Sequence, residues 1–200
     1  MSGRVRGQSA ASGRGESARS ARLFFALWPT TLMQSALAAA AMPAVLAAQA
    51  EDAGVRPVAA TNFHLTLAFL GSVPVDRLTA VQDAAVRCAQ TSGLRERAIE
   101  IVLDGIDHWR KPQVLVVTAS ETPPPAVALA EGLKRSLIDA GFSPDLKPFR
   151  VHATVARKVR RLSVVPHIEP VRWRFTDFAL VHSQTGPAGS VYEVLMRYEV

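Results

Sequence analysis

Residues 62–71 read NFHLTLAFLG, and residues 150–156 read RVHATVA. These two stretches decide how the rest of the chain is read. Both alternate in the way a β-strand requires, since residues two apart on a strand project from the same face. His64 and Thr66 therefore point together, as do His152 and Thr154. Leu65, Leu67, Ala153 and Val155 face the other way, into apolar packing. Each segment presents an imidazole beside a hydroxyl. That pairing suits phosphate ester cleavage, in which one group takes a proton from water and another gives one to the leaving oxygen. Histidine, with an ordinary pKa near ~6.5, does either near neutral pH. Two histidines on opposite sides of phosphorus permit in-line displacement, and threonine hydroxyls can donate to the non-bridging oxygens. This chemistry calls for no metal and no cofactor.

Working outward, RLFFALW at 22–28 reads as a buried strand, followed by an Ala-rich helix from Thr30 to about Ala50, with a threonine as N-cap and a disturbance at Pro43. The strand carrying His64 spans Asn62 to Leu70 and stops at Gly71. Asp76 caps a second helix reaching Gln90, with Leu78, Val81, Ala85 and Cys88 on one face. Ile99–Ile106 and Val114–Thr118 form a strand pair joined by a loop at Trp109–Pro112. A third helix, Pro124–Ala140, buries Val127, Ala130, Leu133, Leu137 and Ile138 and ends at Gly141. Arg150–Ala156, Arg172–Val181 and Val191–Tyr198 complete the strands, the last two separated by a turn at Thr185–Gly189. The sum is an α+β chain of about seven strands and three helices. Its halves echo one another faintly, which predicts two lobes that each donate a His-x-Thr strand to a shared cleft.

Composition bounds the alternatives. The chain has 200 residues, 48% hydrophobic and 20% charged, enough for one cored domain. Cys88 is the only cysteine, so a disulfide framework and a multi-thiolate zinc site are excluded, and the lone thiol fits a reducing cytoplasm. Net charge is +6, of which four arginines and one glutamate in the first 20 residues supply +3. Residues 1–21 carry almost no large apolar side chains and read as a disordered basic tail. Leu23 to Ala50 is uncharged, but Pro29, Pro43 and several polar residues interrupt it, so it reads as strand plus core helix and not as a leader or membrane span.

Six basic residues and no acid lie between Lys147 and Arg161 (Lys147, Arg150, Arg157, Lys158, Arg160, Arg161), a positive rim suited to a phosphodiester backbone. Arg157 stands five residues after His152. A straight strand would turn it away from the cleft, so it reaches the cleft only if the strand bends or ends first. His108, His167 and His182 read as non-catalytic. No Walker-type or dinucleotide-type glycine loop and no serine nucleophile elbow appears.

At RLFFALWP (22–29), NFHLTLAFLG (62–71), PFRVHATVARK (148–158) and LVHSQTGPAGSVYEVLMRY (180–198) the chain resembles the two-histidine (2H) phosphoesterases. Within them it is most similar to the LigT-like RNA 2′,3′-cyclic phosphodiesterases, formerly described as 2′-5′ RNA ligases. The resemblance covers roughly residues 22–198. It implies a single bilobal α+β domain over 22–200, with antiparallel sheets lining a pseudo-twofold central cleft and helices outside. It also implies hydrolysis of an RNA or oligonucleotide 2′,3′-cyclic phosphate end to a 2′-phosphate; a cytoplasmic monomer is expected. His64 would be the proton donor to the leaving 3′ oxygen and His152 the base that activates water. Thr66 and Thr154, with Arg157, would bind the phosphate. Ala153 stands where the family usually carries a larger apolar residue, and a packing adjustment is expected there. Small cyclic nucleotides stay open as substrates, and so do two other readings. One is 2′-5′ RNA ligation, which uses the same groups in reverse; the other is a non-catalytic RNA-binding module, indifferent to His→Ala changes.

Overall fold

The computed structural model describes residues 19–91, 98–186 and 189–200. Most of the expected basic tail therefore lies outside the described residues, and its last two positions are already strand. β1 (Ser20–Leu27) sits in an antiparallel sheet of order β10-β9-β1-β3, with β3 (Leu65–Pro74), β9 (Asp177–Gly186) and β10 (Gly189–Glu199). A second antiparallel sheet has the order β2-β7-β6-β5, from β2 (Arg56–Pro57), β5 (Gly105–Trp109), β6 (Val114–Thr118) and β7 (His152–Arg157). β4 (Ile99–Leu103) and β8 (Val171–Phe175) form a separate pair. Each larger sheet carries one His-x-Thr strand, and β3 and β7 approach each other where the sheets meet.

β1 shows why this arrangement holds. Leu23, Phe25 and Leu27 are fully buried in the main core. Phe24 and Ala26, on the opposite face, join Ala179 and Val181 in a smaller cluster with Trp28, Phe69 and Tyr192 packed against it. A strand apolar on both faces is one that is covered on both, and here the second cover is the wall of the cleft.

The helices lie outside the sheets. α1 (Thr31–Glu51) starts where the Thr30 hydroxyl accepts the Met33 amide at 3.3 Å. It continues through Pro43 without a break. Pro43 and Ala39, whose carbonyl loses its amide partner there, both lie on the exposed side, which softens the cost of the missing bond. By length and composition α1 is apolar enough to cross a membrane. Its inner face, Leu37, Ala41, Ala44, Val45 and Ala48, is instead buried in the core, and the helix packs on β7 and β8. α2 (Leu78–Thr91) and α3 (Pro124–Asp139) pack on each other and on the sheet of β3 and β10.

Several expected boundaries move. Asp76 does not cap α2; it lies in a 3-10 turn, Val75–Arg77, that runs straight into the helix. The buried face of α3 is Ala126, Leu129, Ala130, Leu133 and Leu137, rotated from expectation so that Ile138 is half exposed. Gly141 ends α3 as expected, with φ at +79°. Gly71, by contrast, bends β3 without ending it. Its φ of +74° is absorbed in a bulge opposite β1, and the strand runs on to Pro74.

Two expected strands divide, and β2 (Arg56–Pro57) is a short strand not expected from sequence, giving ten among the described residues. Residues 99–106 split at Asp104, whose carboxylate accepts the Ser120 amide at 2.8 Å and hydroxyl at 2.6 Å. The chain there leaves β8 and joins β6. Gly105 permits the crossing, because a Cβ would stand 2.7 Å from Thr118 Oγ1. Residues 172–181 divide in the same way at Thr176, between β8 and β9.

Candidate active site

His64 enters β3 and His152 opens β7. Both rings are held in the same manner. His64 Nδ1 lies 2.7 Å from the carbonyl oxygen of Asn62, and His152 Nδ1 lies 2.8 Å from that of Arg150. A carbonyl has no proton to give, so each Nδ1 carries the hydrogen and donates it. The neutral rings therefore present bare Nε2 atoms. A cavity of about 240 Å³ contains His64, Thr66, His152 and Thr154 together. The sequence placed both pairs on cleft-facing strand positions, and the structure brings all four side chains to one site. Among the described residues neither threonine hydroxyl has a hydrogen-bond partner, which leaves both free to donate into the cavity.

Arg157 also lines the cavity. The bend its expected position required is present as a bulge at Val155. Leu115 pairs with Ala156, but the next residue, Val116, pairs with Thr154, so one residue of β7 is extra. Val155 and Ala156 are consecutively buried, the parity flips, and Arg157 returns to the side of His152. The first motif does the same. Phe25 pairs with Ala68 and Ala26 with Thr66, so Leu67 is the extra residue, and Phe69 comes back to the cleft. HLTLAF at 64–69 and HATVAR at 152–157 are thus the same bulged strand twice, ending on Phe69 in one lobe and Arg157 in the other.

The two imidazoles differ in their surroundings. His64 is walled by aromatic rings: Trp28 stacks on it at 5.4 Å with planes 10° apart, Phe24 lies at 4.9 Å and Tyr192 meets it edge-on at 5.2 Å. Burial pushes its pKa down to about 4. The Asn62 carbonyl opposes this, while the charges of His152 and Arg157 push the same way as burial. His152 has one aromatic neighbour, Trp109 at 4.6 Å, over which Arg150 lies at 5.5 Å. Its pKa is also lowered, chiefly by burial, with the Arg150 carbonyl opposing and the Arg150 charge adding. Both rings are neutral in the empty cleft near pH 7.

The basic segment around His152 is divided in its duties. Lys147 pairs with Asp145 at 3.0 Å. Arg161 donates to the Glu51 carbonyl at 3.1 Å, at the C-terminal end of α1, and Arg160 lies 3.9 Å from Asp52. Only Arg157 of the six reaches the cavity that holds the histidines. The expected rim is correspondingly narrower, because the carbonyl end of α1 and the acids beside it take up Arg160 and Arg161. His108 and Trp109 belong to β5 and not to a loop; the His108 ring donates Nε2–H to the Val159 carbonyl at 2.8 Å. His182 lies within β9 near Glu193. No cluster of three His, Cys, Asp or Glu side chains is placed to hold a metal among the described residues.

Arg22, Phe24, Phe69, Ser183, Ser190 and Tyr192 complete the cavity and were not singled out from sequence. Arg22 and Phe24 alternate on β1 opposite the buried Leu23 and Phe25, so their shared face was readable. Ser183, Ser190 and Tyr192 come from the last hairpin, and no local pattern marks them. Arg22 lies over the Phe69 ring at 4.8 Å, a cation–π contact at the cavity wall.

Residues 34–116 match the family model described as LigT like Phosphoesterase. The RNA 2′,3′-cyclic phosphodiesterase of Thermus thermophilus is 30% identical over 160 residues, covering 74% of this chain and 76% of that protein. The RNA 2′,3′-cyclic phosphodiesterase of Escherichia coli is 29% identical over 145 residues, covering 72% and 78%. The crystal structure of Escherichia coli LigT complexed with 3′-AMP superposes with a TM-score of 0.73 at 25% identity, over 91% of this chain and 99% of that one.

Proposed function

This chain belongs to the LigT-like phosphoesterase family, and from that premise we infer that it hydrolyses the 2′,3′-cyclic phosphodiester at the end of an RNA strand, leaving a 2′-phosphomonoester. The observation that carries this reading is the pair of anchored imidazoles, each with a bare Nε2 and a free threonine hydroxyl in one small cavity.

Water attacks phosphorus as His152 Nε2 takes its proton. The bond from phosphorus to O3′ breaks on the far side, and His64 Nε2–H protonates the departing oxygen. Thr66 and Thr154 donate to the non-bridging oxygens, and the Arg157 guanidinium offsets their charge. Each Nδ1–H···O=C bond fixes ring orientation, so no torsional search precedes proton transfer. The step uses no metal.

His64 must carry a proton to act as the donor, yet its pKa in the empty cleft is about 4. The substrate supplies the difference. Returning the ring to its ordinary value takes about 3 kcal/mol. One negative charge at ~4 Å is worth about 4 kcal/mol at an effective dielectric of ~20. The cyclic phosphate anion is thus sufficient to offset the burial of its own general acid on binding.

We read residues 22–200 as one bilobal domain acting as a cytoplasmic monomer on RNA. The α1 face buried against the core and a single buried thiol support a soluble protein in a reducing compartment. The test is phosphorus NMR of an oligonucleotide 2′,3′-cyclic phosphate after incubation with the protein and EDTA. A 2′-phosphate signal is expected; a 3′-phosphate product would refute the assignment of His64 to the O3′ leaving group.

A further inference from the structure

Beside the catalytic cavity lies a second one of about 830 Å³, walled by the 53–59 segment on one side and by Gly189, Ser190 and Tyr192 on the other. It shares Arg157, Ser190 and Tyr192 with the catalytic cavity, so the two adjoin. Among the described residues three cations line it, Arg56, Arg157 and Lys158, and no acidic side chain does.

The placement of those cations is unusual. Arg56 on β2 and Arg157 on β7 are direct cross-strand partners. Side chains so placed have β-carbons about 5 Å apart, and like charges there repel. Some exposed cations in this protein are neutralised, Arg172 by Glu100, Arg197 by Asp177 and Lys147 by Asp145; what sets the cavity cations apart is that three of them converge on one concave site. Arg56, Arg157 and Lys158 have no side-chain ion pair or hydrogen bond among the described residues. Lys158 is moreover held at φ +59°, a left-handed backbone that costs a side-chain-bearing residue about 1 kcal/mol. The Val159 amide, bonded to the Gln113 carbonyl at 3.0 Å, secures the backbone next to it. β2 is pinned as well, by the Val58 amide on the Val155 carbonyl at 2.9 Å. A rigid cluster of unneutralised cations around a cavity is stabilised when an anion enters it.

We propose that this second cavity binds the RNA nucleotide immediately 5′ to the terminal cyclic phosphate, with its phosphodiester seated between Arg56 and Lys158. The proposal rests on the hydrolase reading above. Its volume lies within the usual range for ligand pockets, about 300–1,000 Å³, and the shared wall of Arg157, Ser190 and Tyr192 lets one strand occupy both cavities. A free mononucleotide would fill only the first. The enzyme then discriminates by chain length: the oligonucleotide end is its substrate class, and a lone cyclic nucleotide is a poor one.

The test compares cytidine 2′,3′-cyclic phosphate with a tetranucleotide bearing the same end, in the wild type, Arg56→Gln/Lys158→Gln and Arg56→Lys. The wild type is expected to show at least a tenfold higher kcat/KM on the tetranucleotide. Its KM should rise more steeply with salt, by a log–log slope of about 0.7 for each extra phosphate contacted. In the double variant the ratio of the two kcat/KM values falls about tenfold, and Arg56→Lys retains most of it. A wild-type ratio near one, or a ratio and salt slope unmoved in the double variant, overturns the proposal. If neither substrate turns over, the hydrolase reading is what fails. Fluorescence anisotropy with a labelled tetranucleotide ending in 2′-phosphate then still decides the groove: about tenfold weaker binding by the double variant supports it, and equal binding overturns it.

Discussion

Occupying the cleft with an anion should protonate His64. The perturbation is saturation with a nucleoside 2′-monophosphate, the expected type of product. In the free protein His64 titrates at about 4, held there by Phe24, Trp28, Tyr192 and the neighbouring positive charges. With a bound phosphate returning its pKa to ~6.5, the ring goes from about 1% to roughly three quarters protonated at pH 6. Histidine ring NMR, with free and bound protein titrated in parallel, reads this directly. Calorimetry in buffers of different ionisation heat should show an uptake of about 0.7 proton at pH 6 for this ring. The same depressed pKa sets a sign for stability. An unfolded chain takes the His64 proton near ~6.5, whereas the folded one resists until about 4. Stability contributed by this ring is therefore complete above ~6.5 and falls as pH drops towards 4, by about 3 kcal/mol in total. The ligand should reverse that loss. A His64 signal that stays near 4 in the saturated complex would refute the reasoning.

Further outcomes follow from the same geometry. Arg157→Ala should lower kcat/KM by about 10- to 100-fold, the worth of a charge-assisted hydrogen bond, and Arg157→Lys should restore part of it; steady-state kinetics checks both. Ala153 is fully buried against the core, so Ala153→Leu should destabilise by about 1–3 kcal/mol through overpacking, read by urea denaturation. Leu133→Ala, in the buried face of α3, should cost about 2–5 kcal/mol with little change in activity per folded molecule. Gly71→Ala should cost about 1 kcal/mol, because its φ of +74° is left-handed, and a fall in Tm should accompany it.

Strand alternation made the two His–Thr pairs legible, and apolar composition made β1 and the three helices legible. The bulges at Leu67 and Val155 were not legible. A bulge adds one residue to a strand without changing its strand-like composition, and shows itself only as two consecutive buried positions, Leu67–Ala68 and Val155–Ala156. Straight alternation therefore sent Arg157 to the wrong face and gave no reason to notice Phe69. Strand divisions at Asp104 and Thr176 were hidden for a related reason, since both halves of each run keep strand-like residues while their partners change. The basic run from Lys147 to Arg161 misled differently. Charge density says nothing about whether an arginine faces a ligand or the end of α1, and Arg161 is bonded to the Glu51 carbonyl. The aromatic wall of His64 is assembled from β1, the residue that follows it and the last hairpin, a long-range arrangement that no local pattern encodes.

The central claim is that two histidines do the proton transfers without a metal. The most direct measurement is the turnover of an RNA oligonucleotide 2′,3′-cyclic phosphate in EDTA by the wild type, His64→Ala and His152→Ala, with folding of each variant verified by circular dichroism. General acid–base catalysis contributes about 10²- to 10⁴-fold per group, so each variant should lose activity on that scale while the wild type is unaffected by chelation. Substantial turnover by either folded variant, or wild-type activity that requires added metal, would contradict the account.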